Sequence, residues 1–527
     1  MRELCRIETV SPQQNDKHFV TLPGRIWQRP DLMLVAAGAL SCVRTIYLRA
    51  VKADKLHQFR PCLITRSEYA SGRAAERLGG CLRQAVRPGV GGIVIYASCA
   101  EVATQMDWEQ VISSAGLPEN LPVKVLLRGP LVARTREPGA DLEHLLAELP
   151  PPQGAIQRGA VPLPPLPPDF SGVASLLRDW SAAPYLLTPG GCASCITQAD
   201  GITLQPPLAH TRFGDLELAL GCEGPAAAGI AVDMEKRGAR ECALLGSSIP
   251  SLIGMDCSAI QAGLEGRRIS SVYLDCSGFE PAQVGIARAL VQSVRRWKPE
   301  GAAGSGLVCV LGWSEMALGD ASVLRFGRET LERRGYRTEL WRGEGPIPAM
   351  SWVVSAEGLP AAREMERAFG VPYVCGLPLD RESAEDWPEW DALPPDPLRD
   401  QRPDILLTGQ PVAAQGLTRA LRGRRIQRAY YAPSPALREL FAPFAEDGSI
   451  IFTNIRELRE QMAPPRLTLA DPLLLPCLKE AFPISYAYPV PDPMVSGRWY
   501  LADSWSTPES GFWRGLHSAI EKADIQQ

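Results

Sequence analysis

The sequence predicts an α/β protein: several Rossmann-like domains with parallel sheets, the first domain duplicated. Three observations carry this. Between Pro189 and Phe279, short apolar runs each stop at a Gly, Ser or Cys turn, as at Cys192, Gly221, Ser247-Ser248 and Gly278. Buried parallel strands that deliver a loop at their carboxyl ends read this way, and ligands of open α/β sheets bind at those ends. The same landmarks occur earlier in the chain at a near-constant offset. Cys42 leads Cys192 by 150 residues, and Gly72 leads Gly221, Ser98-Cys99 leads Ser247-Ser248, Met106-Asp107 leads Met255-Asp256 and Gly129 leads Gly278, each by 149. That period is too long for a solenoid and implies a duplicated domain. Finally, the earlier copy runs strand, loop, helix, strand, the order of an α/β unit.

Composition sets the class. The 527 residues are enough for several domains, and 45% hydrophobic with 22% charged residues is an ordinary globular balance. A net charge of −4 gives no bulk basic field for nucleic acid. The basic run Arg419–Arg428 reads as a solvated helix face or loop. No apolar run is long enough to span a bilayer, and the start Met-Arg-Glu-Leu-Cys-Arg has no apolar signal core, so no membrane is expected and a cytoplasmic location is. The 14 cysteines then read as thiols or metal ligands rather than disulfides. The five histidines form no His-Glu-x-x-His arrangement, which argues against a zinc hydrolase.

Taken in order, residues 1–20 read as polar and irregular, and the first copy occupies 1–145. Asp31–Ala37 is an apolar run ending in the loop of Cys42. Ala74–Val86 forms a helix, Ile93–Tyr96 a strand ending at Ser98-Cys99, and Val123–Leu127 a strand ending at Gly129. The Pro-rich stretch Pro150–Pro168, within a linker of 146–172, favours extended polyproline geometry and reads as a spacer able to cross a domain face, more simply than as an SH3 ligand. The second copy fills 173–300. Its last helix, Ala282–Trp297, places Ile286, Leu290 and Val294 on one buried stripe. The glycine run Gly301–Gly306 precedes a strand instead of following one, so it is not a dinucleotide loop, and no Gly-x-x-x-x-Gly-Lys-Ser/Thr phosphate loop occurs. A further unit at 301–390 has strands at Leu307–Leu311 and Trp352–Ser355 and helices at Phe326–Arg334 and Ala361–Phe369, stopped by Gly335 and Gly370. After a loop at 386–402, a last unit at 391–527 has strands at Asp404–Thr408, Ser449–Phe452 and Ile484–Tyr488 and a terminal helix at Gly511–Lys522.

The chemistry lies in cysteines at strand ends. Cys42, Cys99 and Cys192 occupy matched turn positions in the two copies, and the fourth matched position is Ser248. If the copies pack face to face, three thiolates converge from three loops. Iron–sulfur clusters take such soft ligands, commonly four, from positions far apart in sequence. Cys195 and Cys222 in the second copy, and Cys5 and Cys62 in the first, are candidates for the missing ligand. Cys81, Cys242, Cys309 and Cys477 lie inside apolar or helical runs and read as small buried hydrophobes. Cys276 and Cys375 end strands singly. Asp107 and Asp256, at matched positions, read as helix N-terminal residues rather than catalysts. Glu68, Asp215, Glu217 and His210 lie near the presumed cluster loops, most of them on a solvated surface. Ser355, Cys375 and Arg381 are expected to line a cleft for a small organic molecule or a tetrapyrrole. No catalytic acid or base is assigned.

At these residues the chain resembles the nitrogenase component 1 family, which includes dinitrogenase subunits, their cofactor-assembly scaffold and the dark-operative protochlorophyllide reductases. The family's Gly-Pro-x-Gly-Cys loop matches Pro189-Gly190-Gly191-Cys192 and, in the first copy, Gly38-Ala39-Leu40-Ser41-Cys42. Its Asp-Leu-Glu segment matches Asp215-Leu216-Glu217. Its Ser-Cys and Ile-Gly-x-Asp match Ser247-Ser248 and Ile253-Gly254-Met255-Asp256, and its Gly-Phe matches Gly278-Phe279. Phe369-Gly370-Val371-Pro372-Tyr373 resembles a Gly-Ile-Pro segment of its second domain. The resemblance implies an iron–sulfur cluster of the [4Fe-4S] type where two first domains meet, with ligand positions falling on Cys42, Cys99 and Cys192. It implies an ATP-hydrolysing iron protein as electron donor, consistent with the missing phosphate loop, and a second component 1-type subunit or another copy of this chain as partner. Ser248 departs from the pattern, and no cysteine falls near Val354–Ala356, where the iron–molybdenum cofactor would be held, so nitrogen fixation is not implied. The expected function is a nitrogenase-like oxidoreductase subunit. A cofactor-assembly scaffold and a cluster-less partner-binding subunit are the alternatives.

Overall fold

In the computed structural model, residues 5–9, 17–132, 138–152, 154–178, 180–202, 204, 207–299, 304–389, 401–500, 502, 504–505 and 511–525 are described. The chain divides into two compact units, 1–279 and 280–527. The α/β class with parallel sheets expected from the sequence is what the structure has. No helix among the described residues is long and apolar enough to cross a membrane.

The first unit holds two sheets built alike. Strands β1 (Arg6–Thr9), β2 (Leu32–Gly38), β3 (Phe59–Leu63), β4 (Gly92–Ala97) and β5 (Val123–Leu127) come from the first half. Strands β6 (Ala183–Leu186), β7 (Ala209–Arg212), β8 (Glu241–Leu245) and β9 (Ser270–Leu274) come from the second. One sheet has the order β3-β2-β4-β5, the other β7-β6-β8-β9, so equivalent strands hold equivalent places. Every residue of β2 and β4 is buried, as a parallel sheet covered on both faces requires. β1 adds antiparallel to the edge of the second sheet, pairing Arg6 with Arg212 and Thr9 with Ala209. The segment expected to be irregular thus covers an open sheet edge, which would otherwise leave backbone donors and acceptors unpaired.

The duplication extends to the helix caps. Asp107 accepts a hydrogen bond from Gln110 N, and Asp256 accepts from Ser258 N and Ala259 N, each opening a helix. Thr65 with Glu68 and Gly214 with Glu217 cap equivalent helices. Equivalent elements also meet each other: helix Cys99–Ala103 packs on helix Ser248–Ile253, and helix Leu40–Lys52 on the π-helical turn Cys195–Ala199. This is the pattern of an isologous contact between two like subunits, here within one chain. Leu218, Ile249, Leu252 and Phe279 of the second half pack on the apolar core of the first.

The Pro-rich stretch is not a free spacer. Pro165 O accepts from Arg44 Nη1 at 2.6 Å, Pro162 O from the Tyr47 hydroxyl at 3.4 Å, and Ile156 N donates to Pro30 O at 2.8 Å. Proline's carbonyl is an acceptor with no N–H of its own to satisfy, so such a segment can lie buried against a donor-rich helix.

The second unit has two parallel sheets. Strands β10 (Gly304–Leu311), β11 (Arg337–Leu340), β12 (Pro348–Val353) and β13 (Tyr373–Cys375) take the order β11-β10-β12-β13. Strands β14 (Ile405–Thr408), β15 (Ile426–Tyr431), β16 (Ile450–Phe452), β17 (Leu467–Ala470) and β18 (Tyr486–Pro489) take the order β16-β15-β14-β17-β18. Helix Ala282–Arg296 buries Ile286, Leu290 and Val294, as its spacing predicts, but it belongs to this unit. Trp297, which follows it, donates Nε1–H to Gly345 O at 3.0 Å and packs edge-on against Trp341 and Phe369. The basic run Arg419–Arg428 is not wholly a solvated face. Its end enters β15, where Arg428 is fully buried and pairs with Asp447 at 2.8 Å. Most of the loop expected at 386–402, and the start of the Gly301–Gly306 run, lie outside the described residues.

Candidate metal centre

The carboxyl ends of the first unit's strands open on one cavity of about 750 Å³, lined by residues of both halves. Cys42, Cys99, Cys192, Cys195 and Ser248 are all on its wall. Cys42 follows β2 and sits in the first turn of helix Leu40–Lys52, while Cys99 follows β4 and starts helix Cys99–Ala103. Cys192 sits on the loop after β6, and Ser248 starts helix Ser248–Ile253 after β8. Cys42, Cys99 and Cys192 are each half-buried. Burial raises the Cys42 pKa far above the ordinary thiol range, and the neighbouring thiolates of Cys192 and Cys99 add to the rise. A bound cation would reverse that rise at Cys42, because metal ligation favours the thiolate. The Ser248 hydroxyl oxygen lies 3.9 Å from Cys192 Sγ.

Two glycines keep the wall open. Gly129 has φ +128°, and a Cβ there would lie 2.4 Å from Cys99 Sγ. Its counterpart Gly278 has φ +72°, and a Cβ there would lie 2.9 Å from Ser248 N and 3.3 Å from Ser248 Cβ. The Gly278 turn is held by Asp169, a buried carboxylate that accepts from Ser277 N, Ser277 Oγ and Gly278 N at 2.7–2.9 Å. Glu101, also buried, holds the Cys99 turn. It accepts from Ser98 N at 2.7 Å and Ser98 Oγ at 2.9 Å, and its other oxygen accepts from the Tyr69 hydroxyl. Tyr69 in turn meets Phe279 of the second half edge to face, 5.9 Å between centroids.

The other candidate cysteines are placed differently. Cys195 reaches the cavity wall but is buried, with Sγ 3.7 Å from Asp200 Oδ2. Asp200 forms a fully buried ion pair with Arg44 of the first half, Nε to Oδ1 2.7 Å. Cys222 and Cys5 are not on the cavity wall. Both lie in the apolar core of the second half with Cys242 and Cys257. Cys62 lies in the core of the first half beside Cys81. Cys309 and Cys477 are buried, as their sequence context predicts. Glu217 lines the cavity while closing its own helix cap. His210 is buried rather than solvated, its ring nitrogen 2.9 Å from Thr211 O. In the second unit, Ser355 is buried and donates to Gly312 O at 2.8 Å, whereas exposed Arg381 lines an open depression with Phe326, Glu329 and Arg333. Sequence reasoning missed Glu101, Tyr69, Asp169 and the Arg44–Asp200 pair. Only the Ser98-x-x-Glu101 spacing, a capping-box pattern, gave any signal.

Among the described residues no three His, Cys, Asp or Glu side chains are grouped tightly enough for a single metal ion. The donors are instead spread over the wall of one cavity. Thiols from separate loops are the donor chemistry that a polynuclear iron–sulfur cluster takes. Gly129 leaves clear the space beside Cys99 Sγ that a Cβ would fill.

No family model matches the chain, and comparison with curated proteins finds no match. Among solved structures the chain is similar to nitrogenase Cp1 at pH 6.5, with a TM-score of 0.48 and 11% identity over 71% of this chain and 94% of that one. It is similar also to nitrogenase Cp1 at pH 5, with a TM-score of 0.45 and 13% identity over 68% of this chain and 88% of that one.

Proposed function

We propose that this chain is a cytoplasmic, nitrogenase component 1-like oxidoreductase subunit. It takes electrons from a separate ATP-hydrolysing iron protein and relays them through an iron–sulfur cluster, of the [4Fe-4S] type, to a substrate. The observation that supports this best is the meeting of Cys42, Cys99 and Cys192, from both halves of the first unit, on one cavity wall. These three residues would hold the cluster. When bound, the cluster supplies one-electron storage and transfer.

The protein's part is position and shielding. The Glu101–Ser98 hydrogen bonds fix the turn that carries Cys99, the Asp169–Ser277 hydrogen bonds fix the glycine turn that faces Ser248, and the Arg44–Asp200 pair ties one half to the other. Both halves of the cavity come from one chain. That favours a subunit whose site needs neither a second component 1-type subunit nor another copy of itself.

Anaerobic purification followed by iron and sulfide analysis tests the reading. Iron and sulfide in comparable amounts, with brown absorbance that bleaches on mixing with an iron protein and MgATP, is the expected result. A cluster that passes intact to an acceptor protein would make the chain an assembly scaffold. A chain that binds no iron under reconstitution would be a partner-binding subunit, and the redox reading would fall.

A further inference from the structure

We infer that Ser248 is the fourth ligand of the cluster, binding through its side-chain oxygen, so that three thiolates and one alkoxide hold the centre. This rests on the proposed cluster site and adds its missing donor.

The duplication carries the argument. It pairs Cys42 with Cys192 and Cys99 with Ser248. The second pair shares its surroundings in detail: each follows an N-cap serine, Ser98 or Ser247, and each is the first residue of a short helix after the equivalent strand, β4 or β8. Each also faces a glycine of positive φ. Gly129 would carry its Cβ into Cys99 Sγ, and Gly278 would carry its own against Ser248. The fourth position has therefore kept the strand-end, helix-start turn and the facing glycine of its counterpart while exchanging sulfur for oxygen. Ser248 is 3% exposed, lines the cavity and has its hydroxyl 3.9 Å from Cys192 Sγ. The alternative on the same wall, Cys195, points its thiol at Asp200, whose carboxylate is committed to Arg44. Cys5, Cys62 and Cys222 do not reach the wall.

The step involves no electron transfer. The Ser248 O–H bond breaks, its proton passes to solvent, and the oxygen lone pair forms a bond to one iron. An oxygen donor is harder than a thiolate.

The experiment uses the full chain, reconstituted anaerobically with ferrous iron and sulfide, as wild type, Ser248→Ala, Ser248→Cys and Cys195→Ala. Iron and sulfide per chain are measured, and paramagnetic resonance spectra are taken after mild oxidation. Ser248→Ala is expected to lose about one iron in four, the one without a protein ligand, leaving a three-iron signal. Ser248→Cys is expected to keep all its iron and to resist that loss, which also shows that substitution here leaves the fold intact. Cys195→Ala is expected to match wild type. Iron retained in Ser248→Ala, or lost in Cys195→Ala, overturns the assignment of Ser248 and leaves the cluster reading standing. A wild-type chain that takes up no iron overturns both.

Discussion

Arg44 of the first half and Asp200 of the second form an ion pair from which solvent is excluded, Nε 2.7 Å from Oδ1, with Arg44 Nη1 also donating to Pro165 O. Removing one member leaves the other charge buried and uncompensated, which costs about 3–5 kcal/mol. Arg44→Met and Asp200→Leu should each lower the urea midpoint accordingly. The double variant should cost clearly less than the sum of the two, because no charge is then stranded. Additive losses in a double-mutant cycle would show that the two side chains are not coupled.

Gly129→Ala places a methyl where Cys99 Sγ lies 2.4 Å away, on a backbone with φ +128°. The expected cost is about 1–3 kcal/mol from the backbone alone, with a displaced thiol besides. Gly72 has φ +73° but open space where a Cβ would stand, so Gly72→Ala should cost less and leave bound iron unchanged. Equal iron content in the two variants would remove the case for Gly129 as part of the site.

Cys42→Ala, Cys99→Ala and Cys192→Ala should each lower the iron retained after reconstitution and desalting. Cys222→Ala, in the apolar core of the second half, should keep its iron while losing about 1 kcal/mol of stability from lost packing. Iron that tracks Cys222 rather than the cavity thiols would relocate the site.

The second unit should weaken as pH rises from 5.5 to 8. Burial, with a smaller contribution from Asp492, lifts the Glu357 and Asp471 carboxyls to about 7, and burial lifts Asp492 to about 6. A folded-state pKa above the unfolded value means the folded chain holds those protons more tightly. The stability they contribute is complete below about pH 4 and is lost as pH rises through 6–7. Glu364, held near 2 chiefly by Arg367 and also by Arg295, changes charge only in more acid solution and does not mask this window. A loss of about 2 kcal/mol for each carboxyl near 7, and about 1 kcal/mol for Asp492, is expected across the window. Scanning calorimetry at several pH values should show the midpoint falling, with a flatter slope in Asp492→Asn. A midpoint that rises with pH would contradict the assignment.

Legibility in the sequence follows how local the governing physics is. Val123–Leu127 reads as a strand with the bounds it has, and Asp107 and Asp256 read as helix caps, because an apolar run or a capping side chain acts within a few residues. Arg428 defeats a sequence reading because charge predicts solvent only until a partner is known; Asp447 supplies one inside the fold. β1 escapes notice because four half-exposed residues carry little pattern, and what makes them a strand is the open edge of β7, some 200 residues on. Helix Ala282–Arg296 is recognisable but falls to the wrong unit, since its apolar stripe says that it is buried and not against what.

By itself the sequence determined the α/β class, the duplication and the candidacy of three turn cysteines, because strand periodicity, turn chemistry and a repeated spacing are written along the chain. Only the tertiary structure decided which thiols share a cavity, that Cys222 is core, that Ser248 lies on the cavity wall beside Cys192, and that Arg44 and Asp200 join the halves. The physical reason is that ligation and burial depend on distances between segments some 150 residues apart. Packing fixes those distances, and no local propensity records them.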